Sequence, residues 1–283
     1  MRGVTSMRQK PAALASASLV SLTAIGVGIL AFVDPGVPSA DVELHDGAVW
    51  LTNQSTLMVG HLNHPSQVLD AAVRTATSQF DVLQHDDEVL VHDWANNLVS
   101  VVNPATMASA TDVALPRDAQ VAMGGGVVAV LDPNDGRLWV MPFLRLAGFD
   151  ADLVVPNAEL GEGATVAVTT TGVAFAVSAN TGKAVIASID TNGQVAVRDA
   201  RGLEESSSSV TVTTVGEEPI MWDQEHSTLY LPSGRAMELP KGSVLQQASA
   251  YNSVVAVATP RSLVYVPLDG SEPTTTELSK DGL

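Results

Sequence analysis

Four groups of side chains in the sequence have the types and spacing that chemistry could use. His61 and His64 form an H-x-x-H pair in GHLNHP. A zinc or copper ion would need a third and fourth ligand, and no helix brings this spacing onto one face, so solvent-facing loop histidines are expected. His85-Asp86-Asp87-Glu88, followed by His92-Asp93, gathers imidazole and carboxyl groups suited to acid/base work. Its place between two strand-like runs predicts a solvated turn instead. Asp132-Pro133-Asn134-Asp135-Gly136 resembles the start of a calcium loop, but its twelfth position is Phe143 and not the bidentate Glu such a loop needs, so a hairpin turn is predicted. The four tryptophans, Trp50, Trp94, Trp139 and Trp222, could floor a ligand site; with Tyr230 and Tyr265 in similar positions, packing between strand layers is the expected use.

Other signatures are missing. The chain has no cysteine, which excludes thiol nucleophiles, disulfides, Cys-ligated zinc and iron–sulfur clusters. No Gly-rich phosphate loop, G-x-S-x-G elbow or H-E-x-x-H helix occurs. Gly124-Gly125-Gly126 precedes a strand-like run, so it offers an anion no helix N-terminus. Ser206 to Ser209, after Glu204-Glu205, reads as a flexible linker. No catalytic, cofactor-binding or metal-ligating residue is assigned, and no cofactor is expected.

The elements that must position these residues repeat six times. Each unit is centred on two alternating apolar runs joined by a polar turn: GAVWLTNQSTLMVGHL from Gly47, EVLVHDWANNLVSVV from Glu88, GVVAVLDPNDGRLWVMP from Gly126, GVAFAVSANTGKAVIASI from Gly172, EPIMWDQEHSTLYLP from Glu218 and SVVAVATPRSLVYVPL from Ser253. Asp132 to Gly136 and Asn180-Thr181-Gly182 supply the residues that tight hairpins favour. A strand-like run leads each hairpin: DVELH at Asp41, FDVLQ at Phe80, AQVAM at Ala119, ATVAV at Ala164, SVTVT at Ser209 and VLQQA at Val244. Another trails it: DAAVRTA, ATDVALP, DLVVP, QVAVRD, RAMELP and TTTEL. Four strands per unit at a period near 40 residues predicts an all-β, β-propeller-like array of about six four-stranded antiparallel blades over residues 40–283. Two immunoglobulin-like sandwiches, with seven strands per domain, are the competing architecture. The chain stops in what looks like a turn between blades, so a longer natural chain is expected.

Charge and hydropathy add a location. Arg2, Arg8 and Lys10 mark residues 1–10 as a basic cytoplasmic tail, and residues 11–33 carry no charge. Such a run matches a transmembrane helix of about 20 apolar residues and exceeds the usual signal-peptide core. An uncleaved, single-pass signal anchor with the amino terminus inside is therefore expected; cleavage after Pro38-Ser39-Ala40 is the alternative. The whole chain has 14 basic against 31 acidic residues, net −17, and the part after residue 33 has 11 against 31. That balance excludes a nucleic-acid partner, because phosphates would be repelled nearly everywhere.

The basic tail, the anchor and the segments GAVWLTN, VLVHDWANNLVSVVNPAT and VVAVLDPNDGRLWVM resemble the amino-terminal region of large actinobacterial surface proteins of the fibronectin type III domain-containing family. The resemblance implies an anchored, propeller-like region ahead of immunoglobulin-like modules, and no fibronectin module precedes Leu283. It transfers no catalytic residue. The leading expectation is a membrane-anchored, extracytoplasmic interaction or scaffold module at the cell envelope, with an exported or envelope protein as partner and no enzymatic activity. The alternatives are a propeller hydrolase or lyase acting on envelope polysaccharide through Asp86, Asp87, Asp93, Asp132 and Asp135, and a ligand-sensing ectodomain.

Overall fold

The computed structural model describes residues 49–278 apart from residues 64, 65, 104, 105, 107 and 250–252. Alternating Val-rich runs form antiparallel meanders, each strand pairing with its neighbour in sequence. The first sheet has β1 (Val49–Asn53), β2 (Met58–Asn63) and β3 (Val68–Arg74); the second has β4 (Phe80–His85), β5 (Glu88–Asp93), β6 (Leu98–Asn103) and β7 (Ala108–Ala114). In the third lie β8 (Gln120–Gly124), β9 (Val127–Asp132), β10 (Arg137–Pro142) and β11 (Ala158–Glu159). The fourth contains β12 (Ala164–Val168), β13 (Ala174–Ser178), β14 (Ala184–Ile189) and β15 (Val195–Ala200). β16 (Val210–Val215), β17 (Glu218–Asp223), β18 (Thr228–Tyr230) and β19 (Ala236–Glu238) make the fifth, and β20 (Val244–Leu245), β21 (Val254–Ala258), β22 (Ser262–Pro267) and β23 (Thr274–Glu277) the sixth.

All six expected hairpins are present, and so are all five leading strands that fall in the described range. The run at Asp41, the anchor at 11–33, the tail at 1–10 and His64 lie outside the described residues. Among the described residues, no helix is long and apolar enough to cross a membrane.

One trailing run departs from expectation. DLVVP is turn and coil, with Leu153 and Val155 about four-fifths exposed, and the fourth strand of its sheet is Ala158–Glu159. A 3-10 turn over Phe143–Gly148, anchored by buried Leu146, intervenes. The Trp139 indole N–H then takes the Val154 carbonyl, and Asn157 bonds β10 on both sides, donating its N–H to Leu138 O and accepting from Val140 N–H. The chain can therefore join β10 only beyond Asn157.

Apolar alternation puts a buried stripe on each sheet face, and five core clusters fill the spaces between consecutive sheets. Trp50, Val59 and Phe80 pack with Val89 between the first and second sheets, and Leu90, Val99, Val128 and Trp139 between the second and third. Leu131 and Leu138 meet Val166 and Ala176 across the third and fourth. Phe175 meets Met221, and Trp222 and Leu229 meet Val255 and Val266, across the last two interfaces.

The first two sheets share a closer register. At an offset of 40 residues, β2–β3 and β6–β7 carry the same bulge, at His61/Leu62 and Val101/Val102. Leu57 and Asn97, related by the same offset, both have positive φ ahead of the next strand.

At the β4–β5 end, the turns joining first and second strands touch in succession. Gly125 N–H donates to His85 Nε2, and a Cβ on Gly124 or Gly125 would lie within 2.4 Å of the Thr169–Gly172 backbone. Thr170 and Thr171 donate to Glu217, and Val215 forms a single parallel bridge to Ser249. The glycine triplet thus serves close approach between turns.

Candidate functional site

The opposite end, at the β5–β6 turn, is built on one position. At the close of each hairpin's first strand stands a polar side chain that accepts a backbone N–H two or three residues on: Asn53, Asp93, Asp132, Ser178, Asp223 and Thr259. These are Asx- and ST-type turn caps. Asp93 also accepts from Thr77 and Asp223 from Ser207, each 16 residues upstream. Ser207 is buried by this bond, so the serine run is an ordered strut.

His92 and Trp94 flank the cap of the second sheet, and here the sequence leaves the repeat. The residues equivalent to His92 are Thr52, Leu131, Val177, Trp222 and Ala258, and those equivalent to Trp94 are Gln54, Pro133, Ala179, Gln224 and Pro260. Neither is required by the hairpin. Trp94 Nε1 donates to His92 Nδ1 at 2.9 Å, with the rings edge-to-face at 5.8 Å. This bond places the imidazole proton on Nε2. Burial pushes the His92 pKa down to about 4, against the weaker opposing pull of Asp93 and Asp81, so the ring is neutral at physiological pH.

A cavity of about 440 Å³ opens beside this pair, in the cleft between the second and third sheets. Asp81, directly across from His92 in the β4–β5 register, forms one wall. Asn97, Asp118 and Gln120 also line it, with the apolar side chains of Leu83, Val121 and Val166. Asp118 is held at φ 59° by donating its N–H to Asn97 Oδ1 at 3.1 Å. Gln120 is fixed by Thr165 Oγ1, which donates to its Oε1 at 3.0 Å. Trp94 is 49% exposed, whereas Trp50, Trp139 and Trp222 are at most 5% exposed. The expected packing role holds for those three; the fourth lines the cavity. The volume and mixed lining are those of a small-ligand or side-chain pocket.

The sequence candidates are dispersed. His61 is buried in β2, not in a loop; its ring lies against Trp50 and its Nδ1 contacts Asp70 Oδ1 at 2.5 Å. Asp86 and Asp87 sit exposed at the β4–β5 turn, whereas Asp93 closes β5 some 17 Å away by strand rise. Asp132 is a cap in an ion pair with Arg137 at 2.9 Å; Asp135 is exposed. Asp132 and Asp135 meet at Arg137, and Asp93 is engaged at a different turn. No cluster of three or more metal-ligating side chains occurs among the described residues. Of the cavity residues, Trp94 and His92 are among the sequence candidates, where packing and a solvated turn are the expected uses; Asp81, Asn97, Asp118 and Gln120 are the ones that sequence reasoning missed. The available signal was a tryptophan directly after a turn cap, where the hairpins otherwise carry Gln, Pro or Ala.

No protein-family model and no curated protein matches this chain. Solved structures do. A complex of KlAtg21 with the coiled coil of AgAtg16 aligns with a TM-score of 0.57 at 9% identity, over 78% of this chain and 76% of that one. A functionally unknown protein from Desulfotomaculum acetoxidans aligns at 0.56 and 12% identity, over 81% and 78%. The dihydro-heme d1 dehydrogenase NirN aligns at 0.59 and 11% identity, over 81% of this chain and 53% of NirN. The sheet order and these likenesses show a β-propeller-like fold; at such identities they show the fold alone.

Proposed function

We propose that this protein is a membrane-anchored, extracytoplasmic β-propeller that binds a protein partner at the cell envelope through the turn-rich end of its second and third blades, without catalysing a reaction. The observation that carries this reading is the cavity beside Trp94, whose key residues depart from a repeat that is otherwise structural. An exposed indole at a concave, polar-rimmed site is the residue type that anchors interfaces. The coiled coil seated on KlAtg21 gives a precedent for a partner on this fold. Residues 1–33 and the resemblance to anchored actinobacterial surface proteins support the envelope location. The polysaccharide-hydrolase alternative draws less support: Asp93 and Asp132 are engaged as turn caps, Asp132 also by Arg137, and Asp86, Asp87 and Asp135 are exposed.

The test is site-specific crosslinking in intact producing cells. A photoreactive benzoylphenylalanine replacing Trp94 is expected to give one discrete adduct heavier than the chain, and the same group replacing Asp87, at the far end, none. Absence of any adduct at position 94, with the protein expressed and folded, overturns the proposal.

A further inference from the structure

The lining of the cavity between the second and third blades defines what can enter it. Asp81 and Asp118 contribute carboxylates to its wall, and among the described residues no lysine or arginine lines it. Arg117 does approach Asp118, at 3.4 Å, but its side chain is 86% exposed, and a pair so open to water leaves the carboxylate available. The half-exposed Trp94 ring lines the cavity and is pinned by its bond to His92, so it meets a ligand with little further ordering cost.

His92 supplies an independent pointer. It is 6% exposed, and Trp94 occupies its Nδ1. The Nε2–H has no hydrogen-bond partner among the described residues, a donor left at the cavity wall. Because the ring is neutral above about pH 4, it offers that donor without repelling a cation. Two carboxylates, of which only Asp118 has a cation beside it and that one largely in water, with an aromatic ring and one neutral donor, suit a positively charged side chain next to a peptide carbonyl. The net charge of −17 would steer a basic partner toward the protein at long range.

We propose that this cavity receives an arginine or lysine side chain of the partner polypeptide, its cation over the Trp94 ring and between Asp81 and Asp118, with an adjacent peptide carbonyl on His92 Nε2–H. The proposal rests on the reading of this end as the binding surface and names what that surface recognises.

The test uses the full-length chain in detergent and its tryptophan fluorescence, which responds at the exposed Trp94 while the other three indoles are buried. The probes are capped Gly-Arg-Gly and its citrulline counterpart, which keeps the shape and loses the charge. The arginine peptide should give a saturable change, with citrulline about tenfold weaker. Asp81→Asn should weaken arginine binding to a similar degree with its unfolding midpoint unchanged; Asp118→Asn, at an exposed residue, serves if Asp81→Asn fails to fold. Raising sodium chloride from about 50 to about 500 mM should weaken binding further. Equal affinity for both peptides overturns the proposal, as does tighter binding of a neutral disaccharide such as maltose, or no saturable response at all. In each of those cases a crosslinked adduct at position 94 would show that the binding surface stands while its cation specificity falls; without the adduct both fail.

Discussion

Burial and hydrogen bonding assign opposite roles to neighbouring residues of the β5–β6 turn. Asp93 is buried and bonded to Thr77 and Asn96, so it holds the hairpin. His92, one residue earlier, is buried with only one ring nitrogen bonded, which makes its protonation unfavourable in the folded state. Its folded pKa of about 4 lies below the ordinary 6.5, so the unfolded chain binds this proton more readily between those values. Stability should therefore rise with pH across that window and fall as the solution is acidified toward pH 4, by on the order of 3 kcal/mol from this residue. The charged groups around it are Asp81 on β4, Asp93 on β5 and Asp118 ahead of β8. His226 acts in the opposite sense: Asp223 raises its pKa, and its smaller, partly solvent-screened contribution is lost as pH rises. At Asp223 burial alone would raise the pKa, but bonds from Ser207 and His226 outweigh it, so that carboxylate's contribution is lost only at lower pH. Urea unfolding of wild type and His92→Gln from pH 4 to pH 7 separates these effects. The variant should lose most of the pH dependence; parallel curves for the two proteins would show that His92 is not its source.

Turns as well as strand faces set how the sheets meet. Gly125 has φ 52°, and a Cβ there would sit 2.4 Å from Gly172 N and from Thr171 C, all backbone that cannot swing aside. Gly125→Ala should therefore cost about 3 kcal/mol or more, combining left-handed strain with displacement of the β12–β13 turn. Gly148→Ala, with nothing within 4 Å of its added Cβ, should stay within about 1 kcal/mol of wild type. Denaturant titration of the pair checks this, and equal midpoints would show that the turn chain is not tightly packed. The strands themselves were legible because period-2 alternation follows directly from one-sided burial, as in β21 and β22, while β5 and β13, buried on both faces, show as short apolar runs ending in turn caps. DLVVP misled because its β-branched apolar run looks strand-like, but Asn157 takes the available edge of β10. The chain of turns from His85 to Ser249 links segments about 40 residues apart, and no local pattern encodes it. The cavity was hidden likewise: Asp81, His92 and Asp118 come from two sheets and meet only when those sheets pack. What could be read was Trp94's turn position, which separates it from Trp50, Trp139 and Trp222 inside strands.

At the scale of the whole chain, charge and topology bear on one another. The region after residue 33 holds 11 basic and 31 acidic residues, while the ten residues before the apolar stretch hold three basic residues and no acid. A chain so divided favours insertion with its basic end inside, and its acidic remainder would be held off an anionic membrane surface. The arrangement is tested by placing one epitope before Met1 and another after Leu283, then treating intact cells with protease. The carboxy-terminal epitope should be destroyed, while the amino-terminal one persists on a short membrane-bound fragment. Protection of both epitopes would place the propeller inside the cell and remove the envelope partner from consideration. Loss of the amino-terminal epitope before protease is added would instead show cleavage near Ala40 and a released propeller, for which the same acidic surface and the same cavity would act in solution.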